Sequence, residues 1–451
     1  MKNIYGIIFN RFLFPFYCKV VKSTPLLDEY QSAEKRLTWS KKELEYYQWK
    51  QLTRLLKHCW NNIPYYKNLW LKHGITNIDE IKSMEDFNAL PVLTKNDVTN
   101  HFSQLVYNTS NKANIKKSTG GSTGQPFHFE LDYLSNEKRQ AIMWRGYNWL
   151  GAGLGAKALF LWGTGVGEES LLRKWKEQLY HRFYNRKILN TFTMCDKNMM
   201  GYIDEINQYQ PEALVCYTTP VYELARYIIR EKITVHSPKS ILTGAEALLD
   251  FQKETIEKAF KAPVYNTYGC REFMLIAAVC KENNSLHINS DHLLVETINH
   301  DGKRIQNDIG DIVITDLSNY GMPLIRYVTG DTGSLTDKPC ACANPLPVLK
   351  KISGRKLDII KCPSGNIIPG ELFPHLLKEV KSILKFQVIQ KTIDSITINL
   401  VVSAKFNDND KTFIENEIHK YDDNQLTIHF NFVNSIPLTV SGKHRVTICE
   451  I

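Results

Sequence analysis

The chain has 451 residues, room for about three domains of ordinary size or one large and one smaller. Hydrophobic residues make up 43% and charged residues 23%, which excludes a disordered or collagen-like chain. The 56 Lys and Arg against 47 Asp and Glu leave a net charge of +9. That mildly basic balance suits an enzyme handling phosphates or acids. With no basic stripe or base-stacking module, no nucleic-acid partner is expected. Ten cysteines at this length are not a disulfide framework, and no secretory signal with a cleavage site is visible, so a reducing, cytoplasmic setting is expected.

The most apolar stretch comes first: YGIIFNRFLFPFYCKVV, within residues 4–21. Asn10, Arg11 and Pro15 interrupt it, and it is marginal in length for a membrane span. Its bulky, aromatic, basic-flanked make-up allows an interfacial helix lying on a membrane, a peripheral contact with its inner face. An arm packed on the body of the protein is the competing expectation. The pattern then predicts a helix over about 41–61. Ser40 and Glu43 form a capping-box pair, and Leu52, Leu55, Leu56, Cys59 and Trp60 form the apolar stripe. Thr94 opens a further short helix.

From about residue 110 to 335, short β-rich runs (157–162, 212–218, 239–244, 310–317) alternate with helical segments near 196–209, 220–232 and 249–260. After Arg355 the texture changes to period-two runs (385–390, 395–403, 426–433) with one helix near 410–421. The expected fold class is α/β: an arm over 1–39, a large multi-layer α/β domain over 40–354, and a small, mobile α+β lid over 355–451.

The strongest local signal is KKSTGGSTGQPFHFEL (116–131). Ser118, Thr119, Gly120, Gly121, Ser122, Thr123 and Gly124 form an unbroken run of small residues. Such a run offers backbone N–H groups and hydroxyls to an anion. A Walker loop fails, because Gln125 and Pro126 stand where Lys and Ser or Thr are needed. The string also fits the G-x-S-x-G nucleophile elbow, but the elbow needs a helix directly after the serine, and PFHFEL reads as a strand. A phosphate-holding loop between two strands remains, against a plain surface turn. A second glycine cluster, LGAGLGA (150–156), reads as a turn into the following strand.

Further segments follow in order: TGAEAL (243–248), NTYGCREF (266–273), GMPLIRYVTGDTG (321–333), ISGRKLD (352–358) and PLTVSGKHR (437–445). Each alone is ordinary surface punctuation. Their series resembles the adenylate-forming superfamily of acyl-CoA synthetases and adenylation domains, from about residue 60 to the end. NIPYYKNLW (62–70) and ALPVLTKNDV (89–98) resemble the phenylacetate–CoA ligase-like branch, including relatives in capsular-polysaccharide biosynthesis.

The resemblance implies activation of a carboxylic acid by ATP, with Mg²⁺, as an acyl-adenylate, then transfer to CoA. It implies that Ser118 to Gly124 hold the β- and γ-phosphates and that Glu272 helps ligate Mg²⁺. Gly244, Ala245, Glu246 and Tyr268, with Gly269 beside it, would frame the adenine. Asp331 would accept the ribose hydroxyls, Arg355 would reach the ribose or phosphate side, and Lys443 would bridge the carboxylate and α-phosphate. Two positions depart from the pattern: Gln125 stands where Lys is usual, and Leu357 where a hinge Asp or Lys is usual, with Asp358 next.

Cys280, His287, Cys340 and Cys342 have the composition of a closed structural zinc site, although the two halves are far apart in the chain. Unrelated buried cysteines are the alternative. Trp144, Arg145 and Trp149 fall on a helix, where Arg145 could meet an acidic substrate group or simply sit in solvent. Three readings stand: a CoA ligase, a ligase passing the acyl group to an amine on a sugar or carrier, and a non-catalytic scaffold that keeps the fold.

Overall fold

The computed structural model describes residues 3–108, 112–119, 127–163, 171–245, 248, 250–282, 285–353, 359–368, 370, 372–377, 379–422, 424–436 and 446–451. The chain folds into two compact units. The first comprises Met1–Lys117, His128–Gly155 and Tyr265–Arg355; the second comprises Ser118–Phe127, Ala156–Val264 and Lys356–Ile451.

The first unit begins with helical turns over Ile4–Val21, then helices Leu26–Arg36 and Lys41–Asn62. The last of these starts where the sequence says it must: Ser40 Oγ accepts from the Glu43 N–H, and the Glu43 carboxylate accepts from the Ser40 N–H at 2.7 Å. Pro64 then occupies the first turn of Pro64–Lys72, a position where its missing N–H costs nothing. Helix Tyr133–Trp149 follows. It packs on strand Met274–Val279 of an antiparallel array ordered Arg304–Ile305, Leu293–Ile298, Gly310–Asp316, Tyr327–Thr336, Val348–Ser353, Leu286–Ile288, Met274–Val279 and Val264–Cys270. Segment ALPVLTKNDV docks along this sheet. The Leu93 N–H donates to Arg326 O and the Val328 N–H to Leu93 O, both at 2.9 Å. This pairing gives a physical reason for that motif to accompany RYVTGD.

The second unit carries four parallel strands, ordered Ser240–Gly244, Ala213–Tyr217, Ala158–Trp162, Arg186–Asn190. The two strands Ala213–Tyr217 and Ser240–Gly244 are buried along their whole length, as strands covered on both faces are. Helices Met199–Tyr209, Thr218–Arg230 and Asp250–Phe260 connect them, their apolar stripes packed in one cluster around Leu159, Leu214, Ile241 and Val264. The chain's last hundred residues form a mixed four-stranded sheet, ordered Thr427–Phe432, Ser395–Val402, Ile383–Thr392, Thr447–Cys449, with helix Asp408–His419. Asn407 caps that helix. The carboxyl-terminal segment reads from sequence as a separate texture, and it does form its own sheet. Its apolar cluster also takes in Phe192 and Tyr217 beside Phe373, Leu376 and Phe386.

Candidate active site

Strands Ile115–Ser118 and His128–Leu131 form a two-stranded sheet, and the Thr119 N–H donates to Phe127 O at 2.9 Å. The glycine-rich run therefore joins two strands, and the next helix begins only at Tyr133. This is the hairpin arrangement, not a nucleophile elbow. Ser118 and Thr119 lie at its base; Gly120, Gly121, Ser122, Thr123 and Gly124 lie outside the described residues, as do Glu246, Arg355 and Lys443.

In the first unit the structure gathers Tyr268, Glu272 and Asp331. The Tyr268 hydroxyl donates to Asp331 Oδ2 at 2.9 Å, and the Asp331 N–H donates to Thr329 Oγ1 at 3.2 Å. Thr329 is itself tied to Ile312 O at 3.0 Å. The carboxylate is thus held from its side chain and its backbone, and a carboxylate's two oxygens suit a pair of hydroxyls. Burial first, then the negative charge of Asp331, push the Tyr268 phenol well above its usual range. The Cys270 thiol is raised by burial, then by the charges of the Glu272 and Asp331 carboxylates, which both lie within electrostatic reach of it.

The turn between Tyr268 and Met274 depends on glycine. A Cβ on Gly269 would lie 2.0 Å from Met274 O, and the strand pairing is shifted by a bulge at this place. Buried Arg139 holds the turn from below. Its Nη1 donates to Glu272 O at 2.8 Å, and its Nη2 to Asp316 Oδ2 at 2.7 Å. Lys117, just before the glycine-rich run, loses proton affinity through burial first and then through the charges of Arg271 and Arg139. This group of cations is one that sequence reading missed, because Lys117 and Arg271 are far apart in the chain. A carboxylate in this setting suits Mg²⁺, a hard cation that takes carboxylate and phosphate oxygens, and Glu272 is the residue that would hold it.

In the second unit, Gly244 is the last residue of its parallel strand and Ala245 follows with φ of +68°. A non-glycine residue in the left-handed region is uncommon, and the carboxyl end of a parallel strand is where open α/β sheets take their ligands.

Cys280, His287, Cys340 and Cys342 come together, with all four ligand atoms within 4.8 Å of one another. Sheet register does this: Val348, just after the Cys340–Cys342 loop, pairs with His287. Cys280 Sγ and Cys340 Sγ are 3.5 Å apart, and Cys342 Sγ is 3.2 Å from His287 Nε2. The other imidazole nitrogen, Nδ1, donates to Leu346 O at 3.0 Å, which leaves Nε2 as the lone-pair face toward the thiols. Burial and the neighbouring thiols push Cys342 up to about 12. Three sulfurs and one imidazole nitrogen at this separation are the donor set that a tetrahedral structural zinc site takes.

Arg145 is neither a pocket residue nor solvated. It is fully buried, donating to Asp291 Oδ1 at 2.8 Å, Asn289 Oδ1 at 2.7 Å and Ala33 O at 2.9 Å. Arg36 reaches the same Asp291 at 2.6 Å. The turn reading of LGAGLGA holds, since Gly151 and Gly155 take positive φ.

The CapK C-terminal domain family matches residues 360–450. The chain is 29% identical to protein CapK of Staphylococcus aureus over 417 residues, 86% of each chain. It is 24% identical to the phenylacetate-coenzyme A ligase of Pseudomonas putida, covering 84% of this chain and 88% of that one. Among solved structures, 2-hydroxyisobutyryl-CoA ligase in complex with 2-HIB-AMP and CoA matches with TM-score 0.63 and 18% identity, covering 92% of both chains. Fold and motif series together resemble the adenylate-forming superfamily. The matched relatives place that likeness in the phenylacetate–CoA ligase-like branch that includes the CapK proteins.

Proposed function

We propose that the protein is an ATP-dependent, AMP-forming carboxylate ligase with CoA as acceptor. In the first half-reaction a carboxylate oxygen attacks the α-phosphorus, the α–β phosphoanhydride bond breaks, and pyrophosphate leaves. In the second, a thiol sulfur attacks the acyl carbon, AMP leaves, and the thiol proton passes to solvent. The observation that carries this reading is the Tyr268–Asp331 pair beside Glu272. It is a carboxylate fixed from two sides where a ribose needs an acceptor of two hydroxyls, next to a second acid suited to Mg²⁺.

On this reading the run Ser118–Gly124 holds the β- and γ-phosphates, and Lys117 with Arg271 supplies positive charge that Gln125 does not. Gly244, Ala245 and Glu246 frame the adenine, with Tyr268 and Gly269 serving that side mainly by fixing Asp331. Arg355 reaches the ribose or phosphate side, and Lys443 neutralises charge developing between the carboxylate and the α-phosphate. Mg²⁺ supplies charge neutralisation at the phosphates. A zinc ion in the Cys280, His287, Cys340, Cys342 set would pin two strands of the sheet and take no part in the reaction. An ATP-consuming reaction of this kind belongs in the cytoplasm.

A second reading keeps the adenylation and changes the acceptor to an amine on a sugar or carrier, in surface-polysaccharide assembly. The greater identity to CapK than to the phenylacetate ligase favours keeping it. Acid-dependent ATP–pyrophosphate exchange across aryl, aliphatic, amino and uronic acids, followed by CoA or amine acceptors with the responding acid, tests both. Exchange without thioester formation, but with amide formation, would replace the first reading by the second. No exchange with any acid would leave the scaffold.

A further inference from the structure

From Ile4 to Val21 the chain winds alternately: α over Ile4–Ile8, π over Phe9–Leu13, α over Phe14–Phe16, π over Tyr17–Val21. In a pure α-helix, side chains spaced every fourth residue drift around the axis by about 40° per step. The wider π turns absorb that drift, because their i→i+5 bonds put more residues in each turn. A four-residue period therefore runs straight along this rod. Ile4, Ile8, Phe12, Phe16 and Val20 form one ridge, 45% to 69% exposed. Phe9, Phe14 and Cys18 face the other way and are fully buried.

The inward face is bolted to the first unit by polar bonds as well. Asn3 Nδ2 donates to Gly155 O at 3.0 Å, and Asn10 Nδ2 to Leu154 O at 2.8 Å. Gly155 lets the backbones meet: a Cβ there would lie 3.0 Å from Gly6 Cα. This explains the second glycine cluster, which no nucleotide role absorbed. A rod held side-on in this way cannot thread a bilayer without breaking those bonds, although its length and hydropathy would allow a span. It can lie on one.

We propose that this ridge is a docking surface for an anionic lipid membrane. The charge around it selects that occupant. The charged side chains up to residue 27 are Lys2, Arg11, Lys19 and Lys22, and the first acid is Asp28. Arg11, Lys19 and Lys22 are exposed. A second copy of the chain would bring the same cations against these, whereas an anionic leaflet takes the apolar ridge and the cations together. The inference rests on the arm alone and is independent of the ligase reading.

The test is sedimentation of the full chain with vesicles of phosphatidylcholine, with and without phosphatidylglycerol. Binding should need phosphatidylglycerol and fall as salt rises. Phe12→Glu with Phe16→Glu should weaken it at least tenfold while thermal unfolding and pyrophosphate exchange stay unchanged, because both side chains are exposed. Lys19→Gln with Lys22→Gln should cost about fivefold per charge removed. Failure of the wild-type chain to sediment with anionic vesicles overturns the proposal. So does equal binding by the Phe12/Phe16 double variant, or a dimer in solution that this variant dissociates.

Discussion

At the residue scale, the buried Arg36–Asp291–Arg145 group shows what a sequence conceals. Helical position gave Arg145 a choice between pocket and solvent, and nothing local points to an acid in a distant loop. Burial would raise the Asp291 carboxyl; the Arg145 guanidinium first, and then Arg36, hold it below its usual range instead. A depressed carboxyl contributes stability at pH above the unfolded value, near 4, and loses it as pH falls further. Asp291→Asn should cost about 3–5 kcal/mol in urea unfolding at pH 7, since two buried guanidiniums lose their counter-charge. The variant should also flatten the fall in stability below about pH 4. Tyr268→Phe removes one hydrogen bond to Asp331 and should raise the KM for ATP about fivefold, roughly 1 kcal/mol, with stability nearly unchanged. An unchanged KM would separate Asp331 from the nucleotide.

At the element scale, most secondary structure was legible because its signals are local. The Ser40–Glu43 box, the stripe over 41–61 and the period-two runs after Arg355 each state their element within a few residues. The hairpin at the glycine-rich run was legible for the same reason. Cys280, His287, Cys340 and Cys342 were legible as a composition, but what brings them together is register: Val348 pairs with His287. The turn at Gly269 was not legible, because its tightness comes from Met274 O crossing it. Gly269→Ala should therefore cost about 1–3 kcal/mol by overpacking, read in a urea melt. Elemental analysis should find about one zinc per chain, the number a single four-ligand site holds. Cys342→Ser should release it and lower the melting temperature, and acid should release it from the wild type, as protons compete for the thiolates. Metal-free protein with Cys342→Ser unchanged in stability would leave four unrelated side chains.

At the scale of the whole molecule, the proposed reaction has two halves served by different contacts. A lysine that neutralises charge in adenylation has to leave room for the acceptor afterward, so Lys443 is proposed to serve the first half-reaction and not the second. The measurement that bears most directly on this is acid-dependent ATP–pyrophosphate exchange by the wild type and by Lys443→Ala, paired with consumption of a presupplied acyl-adenylate. The wild type should show exchange with one class of acid. Lys443→Ala should lose about a hundred- to a thousandfold, the roughly 2.7–4 kcal/mol of a lost transition-state donor, with the acyl-adenylate still consumed at near the normal rate. Exchange left intact by Lys443→Ala, or both half-reactions slowed equally, would contradict the proposal.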